Sequence, residues 1–298
     1  TSKSLPRVSR GMTGRARAPA AGTVLNALAN HTGSAFAIDA DTTATVKLTD
    51  ERGITGEIAG VPDADTVLIE RCVEMVTERY GEGQGGTVRT ESEVPMAAGL
   101  KSSSAAANAA VLAALDALSV PVGPDGALTR EDATRIGVAA ARDAGVTATG
   151  AFDDASASML GGVTVTDNDH DELLAREEVE WNVLVWTPPE RAYSAAADVA
   201  RCERIAPVAD FVAETALEGQ YAEAMTVNGF AFCAALGFSA EPLIEALPDA
   251  RGVSLSGTGP SVTAIGTEDA LSRIRDRWDD REGTTWLTET RTDGARKR

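Results

Sequence analysis

The chain has 298 residues, of which 43% are hydrophobic, and carries a formal net charge of −18 with a pI near 4.5. That length and apolar content are enough for two domains or one large one. So acidic a surface repels nucleic acid and anionic membrane at low ionic strength, so neither is expected as a partner, and it stays dissolved where salt screens its self-repulsion.

Lysine occurs only at Lys3, Lys47, Lys101 and Lys297, and arginine supplies the other basic residues, a composition suited to high salt. Cys72, Cys202 and Cys233 are odd in number and far apart, with neither metal spacing nor a redox pair, which fits a reducing cytoplasm. His31 and His170 are isolated, so a histidine metal site or a serine–histidine triad is hard to build. The N-terminus carries Lys3, Arg7, Arg10, Arg15 and Arg17 but no apolar core segment, unlike a secretory signal, and residues 1–11 are expected to form a disordered extension. The apolar run 105–118 is too short to span a membrane and contains Asn108 and Asp116.

In chain order, residues 13–29 predict a short strand, a turn at Pro19 and Gly22, and a small apolar element. Alternation over 35–48 predicts strands, with 55–58 able to pair across the turn at Arg52 and Gly53. Residues 65–80 predict an amphipathic helix, with Val67, Leu68, Cys72, Met75 and Val76 on one side and Glu70, Arg71, Glu74 and Glu78 on the other. GEGQGG at 81–86 matches G-x-G-x-x-G in form. It follows a helix and precedes an extended segment, the wrong context for a dinucleotide fingerprint, and it is read as a loop.

The central stretch, 95–118, reads PMAAGLKSSSAAANAAVLAALDAL. Val111, Leu112, Leu115 and Leu118 fall at helical spacing, and Ser102, Ser103 and Ser104 sit where N-cap residues belong. A helix start offers free backbone N–H groups and the positive end of the macrodipole, a natural cradle for phosphate. Read alone, the stretch is equally a buried helix with a serine cap.

A turn-rich connection at 121–128 leads to a helix over 129–145, with Thr129 and Asp132 as a capping-box-like pair. The polar patch 167–172 is the expected domain boundary. Beyond it come a buried strand at 180–188, helices at 194–202, 207–218, 220–236 and 241–247, and a strand at 251–256. The turn GTGP at 257–260, a returning strand at 261–265, a helix at 271–278 and a closing strand at 284–290 complete the chain. This mixture of antiparallel strands and helices is an α+β pattern without an internal repeat.

A P-loop is excluded, because it needs a Gly-Lys pair and the chain has none. Three segments rich in glycine and hydroxyl groups remain: 19–23, 95–105 and 252–261. Their order and spacing resemble the GHMP kinases, which phosphorylate small molecules. Pro-x-x-x-Gly-Leu-x-Ser-Ser-x-Ala is similar to that family's phosphate loop, and SLSGTGPSVTAI at 254–265 to its glycine-rich third motif. GAFDDASASMLGG at 150–162 resembles the stretch that carries a catalytic aspartate in mevalonate kinase and its relatives, with Asp153 in that position. Ala20 departs from the glycine that many members have in the first motif. Within the family, RARAPAAGTVLNALA, GLKSSSAAANA (lysine where relatives usually have glycine) and GAFDDASASMLGG most resemble the archaeal shikimate kinases. The acidic, lysine-poor composition is consistent with a haloarchaeal source.

The resemblance implies an N-terminal domain like the second domain of ribosomal protein S5, over 12–168, and a C-terminal ferredoxin-like domain over 169–298, with ATP in the cleft between them. It implies ATP- and Mg2+-dependent phosphorylation of the 3-hydroxyl of shikimate. Asp153 and Lys101 would be catalytic, with Asp154 the lesser choice beside Asp153. Pro95, Met96, Ala97, Ala98, Gly99, Leu100, Lys101, Ser102, Ser103, Ser104 and Ala105 would bind ATP phosphates. Ser256, Gly257, Thr258 and Gly259 would lie near substrate or phosphate, and Ser103 and Asp143 would hold the metal. Homoserine or mevalonate kinase, or a non-enzymatic GHMP-fold ligand sensor, are the alternatives.

Overall fold

A computed structural model describes residues 12–147, 150–190 and 197–298. The expected extension 1–11 lies outside these, as do the first residues of the helix expected at 194–202.

The first sheet is built on two long strands, β1 (Met12–Leu25) and β2 (Thr32–Thr49), paired antiparallel. β1 runs on through Pro19 and Gly22, where a turn was expected, because register shifts between Pro19 and Ala21 and between Thr23 and Leu25 absorb the irregularity. β2 is long enough to serve two partners. Its end pairs with β4 (Gly85–Ser92), which pairs in parallel with β3 (Ile54–Ile58). Its start pairs with β5 (Val163–Asp167), which turns back as β6 (Glu172–Glu177). The expected domain boundary at 168 therefore falls inside the β5–β6 hairpin. Its polar residues form the turn of that hairpin, and β6 belongs to the first sheet.

The second sheet has the order β10-β7-β9-β8, from β7 (Asn182–Thr187), β8 (Gly252–Leu255), β9 (Val262–Gly266) and β10 (Thr284–Glu289), all antiparallel. The chain then returns to the first sheet. Arg291 is buried and donates to Asp41 at 3.0 Å, and β11 (Arg296–Lys297) pairs with β1. The C-terminal segment is thus part of the N-terminal layer, against the division at 168/169.

One face of the first sheet is covered by α1 (Val67–Tyr80), α2 (Ser102–Ala117) and α3 (Arg130–Asp143). The capping box at Thr129 and Asp132 is fully formed. A short helix, α4 (Phe152–Leu160), follows. The second sheet carries α5 (Val199–Cys202), α6 (Ala206–Leu217), α7 (Tyr221–Leu236), α8 (Glu241–Ala246) and α9 (Glu268–Trp278). A continuous apolar core joins Val24, Leu25, Phe36 and Ile38 of the first sheet to Val183, Leu184 and Val185 of the second. No helix among the described residues is long and apolar enough to cross a membrane.

The placement of α2 depends on small side chains. Seven alanines of this helix are buried, and they let β1 come close. A Cβ on Gly14 would run into Ala113 O and Ala117 N. Gly14→Val should therefore lower the unfolding free energy by about 1–3 kcal/mol through overpacking, read as a lower denaturation midpoint at constant high salt.

Candidate active site

The loop between β4 and α2 curls tightly. Ala97, Gly99 and Lys101 all take positive φ (56°, 81° and 62°), and Lys101 occupies the N-cap of α2. The serines expected to cap the helix are instead its first turn, since Ala105 N–H already donates to Lys101 O. The first turn of α2 carries no acidic residue and no side-chain cap. Alternating left-handed residues followed by free helix amides make an anion-binding concavity. Ser103 is exposed at this end, and Ser102 and Ser104 are half-buried.

A second helix start faces the first. Ala151, at φ 53°, is the N-cap of α4, and Asp153 and Asp154 are in its first turn. Asn108, buried on α2, donates to Ala155 O at 2.9 Å and fixes the two helices against each other. Across this junction Lys101 Nζ meets Asp154 Oδ1 at 2.6 Å, with side chains only 7% and 17% exposed. Burial, and then the nearby charge of Asp153, push the Asp154 carboxyl well above the ordinary carboxylate range, while Lys101 opposes the shift.

Asp153, expected to accept the proton of the attacking hydroxyl or to orient it, lies beside Asp154 and is tied to Asn168. Asp154 takes the ion pair with Lys101, and Asp153 stands close enough to hydrogen-bond with Asp154. Asp153 is buried, its Oδ1 accepts from Asn168 Nδ2 at 2.8 Å, and its N–H donates to Asn168 Oδ1 at 3.1 Å. Thr166 Oγ1 holds the same Asn168 Oδ1 at 2.9 Å. Asn108 and Asn168 are the residues that sequence reasoning missed. A lone polar side chain in the alanine run was the available signal for Asn108; Asn168 was hidden in a polar turn.

The third motif closes the site from the second sheet. Ser256 Oγ donates to Gly99 O at 2.8 Å, and Ser261 N–H to Ala98 O at 3.2 Å. A Cβ on Gly257 would stand 2.9 Å from Lys101 Nζ, so this glycine allows the turn to approach the lysine. Thr258 is half-buried and Gly259 buried at the tip of the turn. At the other end of the loop, Pro95, Met96 and Ala98 line a cleft of about 830 Å3 together with Thr187, Pro188 and Trp286.

Asp143, expected to join Ser103 at a metal, is exposed at the end of α3 and accepts from Arg71 Nε at 3.1 Å. No group of three His, Cys, Asp or Glu side chains among the described residues could hold an ion. The cysteines are buried and unpaired, and burial pushes the Cys72 thiol up to about 12 and those of Cys202 and Cys233 up to about 11, which leaves no thiolate for chemistry.

Residues 67–162, which include the loop between β4 and α2, α3 and α4, match the GHMP kinases N terminal domain. A shikimate kinase of Halobacterium salinarum is 64% identical over 286 residues, covering 96% of this chain and 99% of that protein. A shikimate kinase of Methanococcoides burtonii is 47% identical over 289 residues, covering 96% and 99%. Among solved structures, homoserine kinase from Cytophaga hutchinsonii superimposes with a TM-score of 0.73 at 17% identity, covering 99% of this chain and 100% of that one. Mevalonate kinase from Methanococcus jannaschii does so with a TM-score of 0.72 at 14% identity, covering 96% and 99%. The solved structures share the fold and the archaeal relatives share the sequence almost end to end, so the chain belongs to the GHMP kinases, among the archaeal shikimate kinases.

Proposed function

We propose that this kinase transfers the γ-phosphoryl group of ATP to the 3-hydroxyl of shikimate, with Asp154 as the base and Lys101 as the charge-neutralising group. Near-full-length identity of 64% to a shikimate kinase supports the substrate. The observation that carries the residue roles is the Lys101–Asp154 pair, 2.6 Å apart between two helix starts. Homoserine and mevalonate kinases share the fold at 17% and 14% identity, which says nothing of substrate.

Phosphoryl transfer is mostly positioning and charge stabilisation. The backbone N–H groups at 99–104 and the N-terminus of α2 hold the triphosphate, and Lys101 Nζ reaches the transferred group. The Asp154 carboxylate accepts the proton of the attacking hydroxyl as its oxygen bonds to phosphorus and ADP departs. Asp153 keeps α4 in place through Asn168. The exposed Ser103 hydroxyl suits Mg2+, which is commonly held by one or two protein oxygens together with substrate phosphates and would neutralise phosphate charge there. Asp143, the last residue of α3, is engaged by Arg71 of α1 and is left out of this assignment. The buried thiols and the acidic, lysine-poor composition suit a salty, reducing cytoplasm.

The direct test is ADP release at molar salt with shikimate, homoserine and mevalonate in turn. Turnover on shikimate alone is expected; turnover on one of the others without shikimate would overturn the reading. Asp154→Asn should lower kcat by about 10²- to 10⁴-fold while nucleotide still binds. Asp153→Asn keeps an acceptor for Asn168 and should cost far less, and equal losses at both positions would remove the distinction.

The pH dependence has a definite sign. Asp154 works as the base only when ionised, and its pKa is raised, so turnover should fall as pH drops through a midpoint above the ordinary aspartate value of about 3.9. Lys101 holds that pKa down, so Lys101→Met should lower kcat and also move the acid limb of the rate profile to higher pH. An unmoved limb would separate the two groups.

A further inference from the structure

From the geometry behind the phosphate loop we infer that Thr23 and Asn26, near the end of β1, are positioning residues for phosphoryl transfer. They fix the glycine turn that backs Lys101. The inference rests on the role given to Lys101 above.

Both backbone polar groups of Gly257 are taken by this one strand and its exit. Thr23 Oγ1 accepts the Gly257 N–H at 2.8 Å, and Asn26 Nδ2 donates to Gly257 O at 2.8 Å. Asn26 is itself held in that orientation. Its Oδ1 accepts from Leu28 N–H at 2.9 Å, and its own N–H donates to Asn228 Oδ1 at 2.9 Å. Asn228 Nδ2 in turn donates to Ser254 Oγ at 2.9 Å, on the strand that leads into the turn. Thr23, Asn26 and Asn228 are 0%, 6% and 1% exposed, so these side chains grip the turn and leave the ligands to other groups.

The other face of the turn meets the catalytic loop. Ser256 holds Gly99 O, and Gly257 lies against the Lys101 ammonium. β1 also holds the loop directly, because Ala21 N–H donates to Leu100 O at 3.3 Å. Alternate residues of one strand, Ala21 and Thr23, therefore set the loop and the turn from a common reference. The register shifts that flank these residues re-aim the strand at this point. Unpairing Gly257 N–H leaves a buried donor without an acceptor, and the turn must shift to recover one. Such a shift is transmitted to Lys101 Nζ, where rate is steeply sensitive to position.

Thr23→Val is isosteric and removes only the acceptor, whereas Thr23→Ser keeps it. Full-length variants would be assayed at molar salt, with kcat and KM normalised to the folded fraction measured by circular dichroism. Thr23→Val should lower kcat about tenfold, as expected for a small misplacement, with KM for shikimate changed less than about twofold. Thr23→Ser should restore turnover. In a Lys101→Met background Thr23→Val should cost less than about threefold, because the two act through one group.

An undiminished loss in that background, an unchanged kcat for Thr23→Val, or failure of the serine to rescue would overturn the inference. Wild-type turnover by Lys101→Met alone would overturn the lysine assignment as well, which tells that failure apart from failure of the grip. If Thr23→Val does not fold, Asn26→Ala removes the donor to Gly257 O and is put through the same cycle.

Discussion

A lysine ammonium and an aspartate carboxylate stand 2.6 Å apart, largely out of water, where two helices begin. Buried ion pairs commonly repay little more than their desolvation cost, so stability alone is a poor reason for this one. The electrostatics of the two helix starts suggest the better reason. The first turn of α4 carries its own anions, Asp153 and Asp154. That of α2 carries none. One positive helix end is already compensated, and the other has no acidic residue in its first turn to compensate it. Lys101 lies between them and can attend to both.

Keeping such a pair in register takes much of the surrounding fold. The alanine face of α2 allows the close approach of β1, and Asn108 ties α2 to α4. The far end of α4 is also clamped. Arg130 donates to Met159 O and to Ala295 O, while Arg176 reaches Leu160 O, Gly161 O and Thr292 O. Each guanidinium satisfies carbonyls at the end of the helix, where cations are also favoured by the dipole, and a carbonyl of the returning C-terminal segment. The return of the chain to the first sheet is therefore coupled to the helix that carries the aspartates.

What could be read from sequence follows from how local each feature is. The helix α2, the capping box at Thr129 and the amphipathic α1 are specified by neighbours within a few positions, and each was legible. GEGQGG was legible as a loop from its flanks, and its last two residues open β4. The helix α4 was hidden because FDDASASML is rich in serine and aspartate, which compete with helical hydrogen bonding. Without that helix, the direction of each aspartate is undetermined from sequence. β6 was lost in a polar hairpin whose pairing is set by β5. The C-terminal return was illegible because its partners, Asp41 and β1, are over two hundred residues away.

Lys101 also shows why backbone and side chain have to be weighed together. It is held at φ 62°, a conformation that costs an L-residue about 1–2 kcal/mol and that glycine adopts freely. Among the described residues six non-glycine positions have positive φ, and three of them, Ala97, Lys101 and Ala151, belong to the two helix starts. Strain of this kind persists where the surroundings over-determine it, and it collects at functional sites. In a chain that uses arginine almost everywhere else for positive charge, a strained lysine held between Gly257 and Asp154 is better explained by its ammonium than by its backbone. A compact ammonium on a flexible stem can turn from a carboxylate to a phosphate within one cavity, and the planar guanidinium fork is less suited to that exchange.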